Sequence, residues 1–316
     1  MERMMVVAAA SLAALGCSSA LRGADADRDV HLHLTYYMAR AAGFDEADAR
    51  AIASADCATD EHPETTSVGT ERRFVGGLLN PVTIPRIVGL GLADLVFAEG
   101  TPGRAFGSRT AEATAWTLTP LALRLHFPAR GMHDRVEPAF VTDARTGEVY
   151  YNNREAVTVL EQAFRALETH DPDVSRALAL LGIGLHTLQD SYKHAGFCGA
   201  LGHIGQWPDP DDVSRTPGLA LEIAEATLNS LRHAKRLLEG GGRRPAPAWR
   251  EEFEGLYRRP LGGGECRQDR WIAWIRGSFG DGYGTWEETR ERWLEAGGAE
   301  VFERALDRVR DGSRKE

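Results

Sequence analysis

Apolar residues recur three and four positions apart in several stretches of the chain, which is the pattern of helices that bury one face. The first stretch begins at Val30 and is expected to end at Gly43. A second helix is predicted from Asp45, which stands at an N-cap position. Between about residues 63 and 125 proline and glycine interrupt the pattern repeatedly, so we expect an irregular insertion there.

From Asn153 the helical pattern returns and continues to the C-terminal region. A first stripe extends to Leu167, and a second long helix follows, with either Asp173 or Ser175 as its N-cap. Further helical segments are predicted over Leu219–Leu238, Trp271–Ile275 and Trp286–Leu306. Residues 141–151 are compatible with one small β-hairpin around a Thr-Gly pair. The pattern therefore predicts an all-α fold, a multi-helix bundle with at most that one hairpin.

The N-terminal segment has the features of an export signal. Arg3 precedes an apolar run, Met4 to Gly16, that is too short to span a bilayer and is typical of a signal peptide. The residues around Cys17 (Ala-Leu-Gly-Cys) resemble the bacterial lipoprotein signal, which implies cleavage before Cys17 and lipidation of its thiol. Ordinary signal cleavage nearby and an uncleaved N-terminal anchor are the alternatives.

These features divide the chain into three parts. We expect a lipoprotein-type signal peptide over residues 1–16, a short polar tether over 17–28, and a single α-helical metal-binding domain over 29–316. The protein is accordingly expected to be exported and held at a membrane by its N-terminal lipid, in the periplasm or at the cell surface.

Composition narrows the classes of partner. The 316 residues are 43% hydrophobic and 26% charged, which is typical of globular proteins, and the net charge is −9. No basic run longer than a pair precedes the C-terminal tail, so we expect no binding to duplex nucleic acid, whereas a small phosphoester or phospholipid substrate is compatible with the sequence. Cys57, Cys198 and Cys266 allow one disulfide of open pairing in an exported protein, and the oligomeric state is left open.

The candidate chemistry lies in the second long helix after Asn153. His186, Asp190 and His194 are spaced by four, so they fall within about 80° on one helix face. Such a face can present nitrogen and oxygen ligands to divalent metal ions, and it is equally compatible with a simple hydrogen-bonded helix surface. Gln189 and Lys193 are expected on the other side of the helix, as ordinary polar positions.

The wider sequence around this helix resembles a known superfamily. Gly184-Leu-His186-Thr-Leu-Gln-Asp190-Ser-Tyr-Lys-His194-Ala-Gly196 resembles the signature of the zinc-dependent phospholipase C and single-strand nuclease superfamily. It is closest to an uncharacterised bacterial branch whose members carry a histidine, then Gln-Asp, then His-x-Gly. The start of the domain, His126-Phe127-Pro128 and Gly202-His203 with Pro208-Asp209 are also similar to that branch, in order, from residue 30 to about 210.

This resemblance implies an all-α fold with up to three zinc ions. His186 and Asp190 would match the ligands shared between ions, and His194 and His203 would match ligands of a second ion. The ligands implied from earlier segments are His31, Asp60 and His126.

The chain departs from the family pattern at two ligands. The family's amino terminus binds zinc, and here the tether places the terminus elsewhere, so His33 or Asp29 is the nearest substitute. A family carboxylate falls at Trp207, where Asp209 or Glu222 is the nearest replacement. Asp56, one helical turn before Asp60, is a further candidate ligand.

The implied function is that of an exported metal-dependent phosphodiester hydrolase of phospholipase C or nuclease type. Asp60 would act as the general base on a metal-bound water. The first alternative is a non-catalytic, zinc-stabilised surface lipoprotein that acts as a binding or scaffold module. The second is a helical lipoprotein whose histidines bind no metal.

Overall fold

The structure is a computed structural model. It describes residues 29–62, 65, 121, 125–126, 139–142, 149–152, 154–193, 217–239, 249–258, 267–280 and 282–313. The expected signal peptide and tether, nearly all of the predicted insertion, and the candidate residues Cys17, His194, His203 and Asp209 lie outside the described residues.

The described chain is predominantly α-helical, as the hydrophobic pattern predicts. It begins with a π-helical segment, Asp29–Leu34, that leads directly into α1. The α-helices are α1 (Thr35–Ala42), α2 (Glu46–Glu61), α3 (Arg154–Glu168), α4 (Val174–Lys193), α5 (Pro217–Glu239), α6 (Trp249–Arg258), α7 (Arg267–Phe279), α8 (Trp286–Glu295) and α9 (Gly298–Ser313). The strands β1 (Ala139–Thr142) and β2 (Val149–Asn152) form the antiparallel hairpin that the sequence is compatible with.

The ends of the first helices follow from single residues. Gly43 ends α1 in the left-handed conformation, with φ of 105°, which a glycine adopts without steric penalty. The Asp45 side chain caps α2 by accepting a hydrogen bond from the Asp48 backbone N–H. Of the two candidate caps of α4, Asp173 fills the role, since its carboxylate accepts from the Arg176 N–H at 3.0 Å.

Helix α4 is the centre of the bundle. It packs against α2 and α3 most extensively, and also against α5 and α9, and nearly all of its residues from Ala177 onward are buried. The contact with α2 requires a glycine, because a Cβ at Gly182 would lie 2.4 Å from the Ile52 carbonyl oxygen and 2.9 Å from the Asp56 nitrogen. This close approach brings the candidate residues of α2 against those of α4.

The π-helical segment directs its two histidines to different neighbours. His31 faces α2 and α4, where it contacts Asp56 and Gln189. His33 contacts the Tyr283 hydroxyl at 2.7 Å and stacks on Trp271. The segment therefore contributes one histidine to the polar centre of the bundle and one to the aromatic core. Among the described residues, no helix is both long enough and apolar enough to cross a membrane.

Candidate metal centre

Five of the candidate ligands meet inside the helix bundle. They come from four separate segments and are His31, Asp60, His126, His186 and Asp190. Four of these side chains are exposed by 2% or less, and only the Asp60 side chain reaches 20%. The sequence spacing placed two of them on one face of α4, and the fold adds three more from elsewhere.

The tightest set consists of one atom from each of three residues. His126 Nδ1 lies 3.1 Å from His186 Nε2 and 3.0 Å from Asp190 Oδ2, and the latter two atoms are 3.2 Å apart. Asp60 Oδ1 lies somewhat farther away, at 3.5 Å from His126 Nδ1 and 3.8 Å from His186 Nε2. Tetrahedral zinc with bonds near 2.0–2.1 Å separates its ligand atoms by about 3.3 Å, so these four atoms have the spacing of a tetrahedral shell.

The protonation of His126 is determined by its outer contact. Its Nε2 lies 2.6 Å from the Thr65 carbonyl oxygen, which can only accept a hydrogen bond, so Nε2 carries the proton. In the neutral ring Nδ1 then presents a lone pair, and that lone pair faces another ring nitrogen and a carboxylate oxygen. Such a convergence of nitrogen and oxygen atoms is repulsive unless a proton or a metal ion lies between them. These His/Asp groups could therefore hold a metal ion.

A chain of hydrogen bonds supports the rings from behind. Gln189 Nε2 donates to the hydroxyls of Thr35 (2.8 Å) and Thr227 (3.2 Å), and Thr35 Oγ1 donates to Asp56 Oδ2 at 2.6 Å. This order leaves Gln189 Oε1 to accept from His31 Nδ1 at 2.7 Å. In the neutral ring, His31 Nδ1 is therefore the protonated nitrogen, and Nε2 presents its lone pair on the side of Asp190 and Asp60.

Asp56 lies behind two of the histidine rings. Its Oδ1 is 2.9 Å from His31 Nδ1 and 3.3 Å from His186 Nδ1. These three residues form a second group whose ligand atoms lie within 4.8 Å of one another. Because His31 Nδ1 is a donor, we place Asp56 as the carboxylate that orients the two imidazoles, an arrangement common behind metal-binding histidines.

The expectation that Gln189 and Lys193 are ordinary polar positions is wrong. Both are buried, and Lys193 Nζ lies 2.8 Å from His31 Nε2 and 3.1 Å from Asp190 Oδ1. Helix α4 is enclosed by neighbouring helices, so it has no solvent side to which these residues could turn. The small and apolar residues on every side of α4 between Ala177 and Leu188 are the signal that could have predicted this burial.

The remaining candidates lie away from this cluster or outside the described residues. His33 packs in the aromatic core, and neither it nor the buried Asp29 belongs to the groups of converging ligand atoms among the described residues. Glu222 is exposed on α5, so it does not supply a buried carboxylate. The ligand roles of His194, His203 and Asp209 stay predictions. So does the disulfide pairing, since of its three cysteines only Cys57 is described.

The carboxylates dominate the electrostatics of the metal-free cluster. Burial, Lys193 and His186 lower the pKa of His31, but Asp56 and Asp60 outweigh them and the pKa rises to about 9. Burial also lowers the pKa of His186, and Asp190 and Asp60 overcome it and raise that pKa well above its usual value. With neutral histidines, the three carboxylates of Asp56, Asp60 and Asp190 outnumber the one ammonium of Lys193, which leaves two negative charges.

The arrangement matches one divalent cation in charge and in donor type. Imidazole nitrogens with carboxylate oxygens suit zinc and its first-row neighbours. The partly exposed Asp60 gives the cluster a side that faces solvent. No family model, curated protein or solved structure matches the chain, so the case for a metal rests on the geometry of its own residues.

Proposed function

We propose that the protein is a metal-dependent phosphodiester hydrolase in which His126, His186 and Asp190 bind zinc and Asp60 acts as general base. The observation that carries the proposal is that Asp60 is less buried and more distant than the other three residues. The three ligand atoms are fully buried and 3.0–3.2 Å apart, whereas Asp60 Oδ1 is more distant and its side chain is partly exposed. Three protein ligands with one position left for water is the usual composition of a catalytic zinc site.

The roles of the side chains follow from their positions. A zinc ion held by these residues would supply a Lewis acid that lowers the pKa of a bound water toward neutrality. Asp60 would act as the proton acceptor, and its Oδ2, which is buried without a hydrogen-bond partner among the described residues, is able to accept a proton. Asp56 and Thr35 hold His31 and His186 in orientation, which keeps the ring nitrogens directed at the cluster.

The substrate class and the location belong to the same proposal and are supported by the sequence. The motif around His186 resembles that of zinc-dependent phospholipases C and single-strand nucleases, whose substrates are phosphodiesters. The apolar N-terminal run and Cys17 support export and a lipid anchor, which would hold the enzyme beside phospholipid headgroups. The net charge of −9 disfavours long nucleic acids as substrates.

Metal content and hydrolysis, measured on the same purified protein, test the proposal. We expect stoichiometric zinc by elemental analysis and hydrolysis of bis(p-nitrophenyl) phosphate or of phosphatidylcholine vesicles. Asp60→Asn should retain zinc and lose at least a hundredfold in kcat, because the general base is removed. The matched control is Glu61→Gln, the same charge change one residue later on an exposed side chain. Zinc-loaded protein without activity on either substrate would overturn the catalytic part.

A second function, a zinc-stabilised binding or scaffold module, is favoured by one observation. If Asp60 binds zinc directly, the four ligand atoms complete a tetrahedron and leave no position for water. Cobalt substitution separates the two functions, because its visible spectrum reports the ligands. In the module, Asp60→Asn should change the cobalt spectrum and lower the melting temperature strongly, whereas in the hydrolase anions added to the wild type should change that spectrum by entering the open position.

A further inference from the structure

Asp190 and Asp60 each direct one carboxylate oxygen at the pair His126 and His186 and the other oxygen at His31. Asp190 directs Oδ2 at His126 and His186, and directs Oδ1 at His31 Nε2, 3.2 Å away. Asp60 does the same, with Oδ1 toward His126 and His186 and Oδ2 at 3.8 Å from His31 Nε2. Carboxylates shared in this way are the pattern of a centre with two neighbouring cations. The first position is the one between His126 and His186, and the second is beside His31.

The second position already contains a positive charge. Lys193 Nζ lies 2.8 Å from His31 Nε2 and 3.1 Å from Asp190 Oδ1, and its side chain is 1% exposed. In the neutral ring, His31 donates through Nδ1, so its Nε2 is an acceptor and the ammonium can donate to it. These two contacts use the atoms that a metal ion at the second position would need.

We infer that Lys193 is a built-in cation that takes the place of a second metal ion, so that this cluster binds a single divalent ion. The net charge of the cluster is consistent with a single ion. With neutral histidines, three carboxylates and one ammonium leave two negative charges, which one divalent ion neutralises. The inference rests on the metal binding proposed above and is independent of catalysis. It also distinguishes His31 from the other two histidines: His31 is a partner of Lys193, and His126 and His186 are metal ligands.

The direct test is the position of zinc in crystals of the zinc-loaded full chain, located by anomalous scattering. We expect an ion within bonding distance of His126, His186 and Asp190, and Lys193 Nζ still in contact with His31. An ion bonded to His31 Nε2 with Lys193 displaced would overturn the inference and leave the proposed metal site standing. Protein that takes up no zinc would overturn both.

Substitution of the lysine gives a second test, read as zinc ions per chain. Lys193→Met removes the ammonium at similar volume and leaves His31 Nε2 and Asp190 Oδ1 to bind an ion together with Asp60 Oδ2, so we expect one more ion per chain than in the wild type. Adding His31→Asn to that variant should abolish the gain. Lys235→Met is the matched control, because Lys235 is also a buried lysine but pairs with Glu239 on α5. An unchanged zinc count in folded Lys193→Met protein would contradict the inference, and if that variant does not fold, the wild-type crystal decides.

Discussion

At the residue scale, the histidines of the cluster differ in what fixes their outer nitrogen. His126 donates to the backbone carbonyl oxygen of Thr65. A backbone carbonyl does not titrate, so this oxygen is a hydrogen-bond acceptor at every pH at which the protein is folded. His31 depends on two side chains, Asp56 and Gln189, and His186 lies 3.3 Å from the same Asp56 carboxylate. The orientation and basicity of two rings therefore depend on one aspartate.

Replacing that aspartate tests its supporting role. Asp56→Asn retains the volume and removes the charge, so we expect the zinc affinity to fall by about 10- to 100-fold, as for other carboxylates behind metal-binding histidines. Competition with a chelator of known affinity measures the change. Glu61→Gln on the same helix should leave the affinity within a factor of two. An affinity equal to the wild type in Asp56→Asn would show that Asp56 has no part in the site.

The raised histidine pKa values predict a pH dependence of the metal-free protein. The pKa of His31 is about 9 in the folded chain against about 6.5 when unfolded, so its contribution to stability is complete below about pH 6.5. That contribution is lost as the pH rises through about 9, and His186 acts in the same direction. The melting temperature of chelator-treated protein should therefore fall between pH 6.5 and 9. A constant or rising melting temperature over this window would contradict the assigned charges.

Zinc binding should show the opposite trend over the same pH range. The ion must displace protons from the ring nitrogens, so its affinity should increase as the pH rises. Calorimetric titration in two buffers of different ionisation enthalpy measures the protons released. Binding without proton release would indicate that the metal-free histidines are already neutral.

At the element scale, the site depends on the close contact of α2 with α4. Gly182 makes this contact possible, since its Cα faces the backbone of α2 next to Asp56. A side chain there would separate the helix that carries Asp56 and Asp60 from the helix that carries His186 and Asp190.

Gly182→Ala is expected to destabilise the protein by roughly 1–3 kcal/mol, because the new Cβ would overlap the Ile52 carbonyl and the Asp56 nitrogen. Zinc affinity should fall as well. Gly277→Ala is the control: it adds the same methyl group to α7, where an added Cβ meets no atom within 4 Å, and should be neutral or stabilising by up to about 1 kcal/mol. Urea unfolding of both variants measures the difference, and equal stabilities would contradict the assigned contact.

Periodicity predicted most of the described helices because each buries one face. It also placed His186 and Asp190 together, since that relation is local to α4. It missed helix α6, for which no apolar stripe was identified, and the π-helical start of the first helix. Periodicity did not predict the roles of Gln189 and Lys193, because both contact His31, about 160 residues away in sequence. The apolar residues all around α4 indicate that these side chains are buried, but they do not indicate which residues they contact.

At the scale of the whole molecule, the cluster joins distant parts of the chain. His31 contacts residues 25, 158 and 162 positions away, and His126 contacts Asp190 across 64. A bound ion therefore holds together segments that unfolding would separate, so metal binding and global stability are linked.

We expect zinc to raise the melting temperature in a concentration-dependent way and chelation to lower it. At a free zinc concentration of about 100 times Kd the stabilisation is about 2.7 kcal/mol. Differential scanning calorimetry across a zinc series measures it. His126→Ala should abolish the dependence on zinc, because one of the three close ligands is removed. A zinc effect of equal size in this variant would place the ion elsewhere in the chain.

The mixture of nitrogen and oxygen donors has a consequence for which ion the proposed site would bind. Imidazole with carboxylate accepts zinc, manganese, cobalt and iron without strong selection by donor type. The donors are brought together only when residues at positions 31, 126 and 190 have met, which is after the chain has been synthesised past its middle. If the protein binds a metal as proposed, the metal supply of the compartment in which folding is completed would determine which ion it holds, and changing that compartment should change the metal without changing the fold.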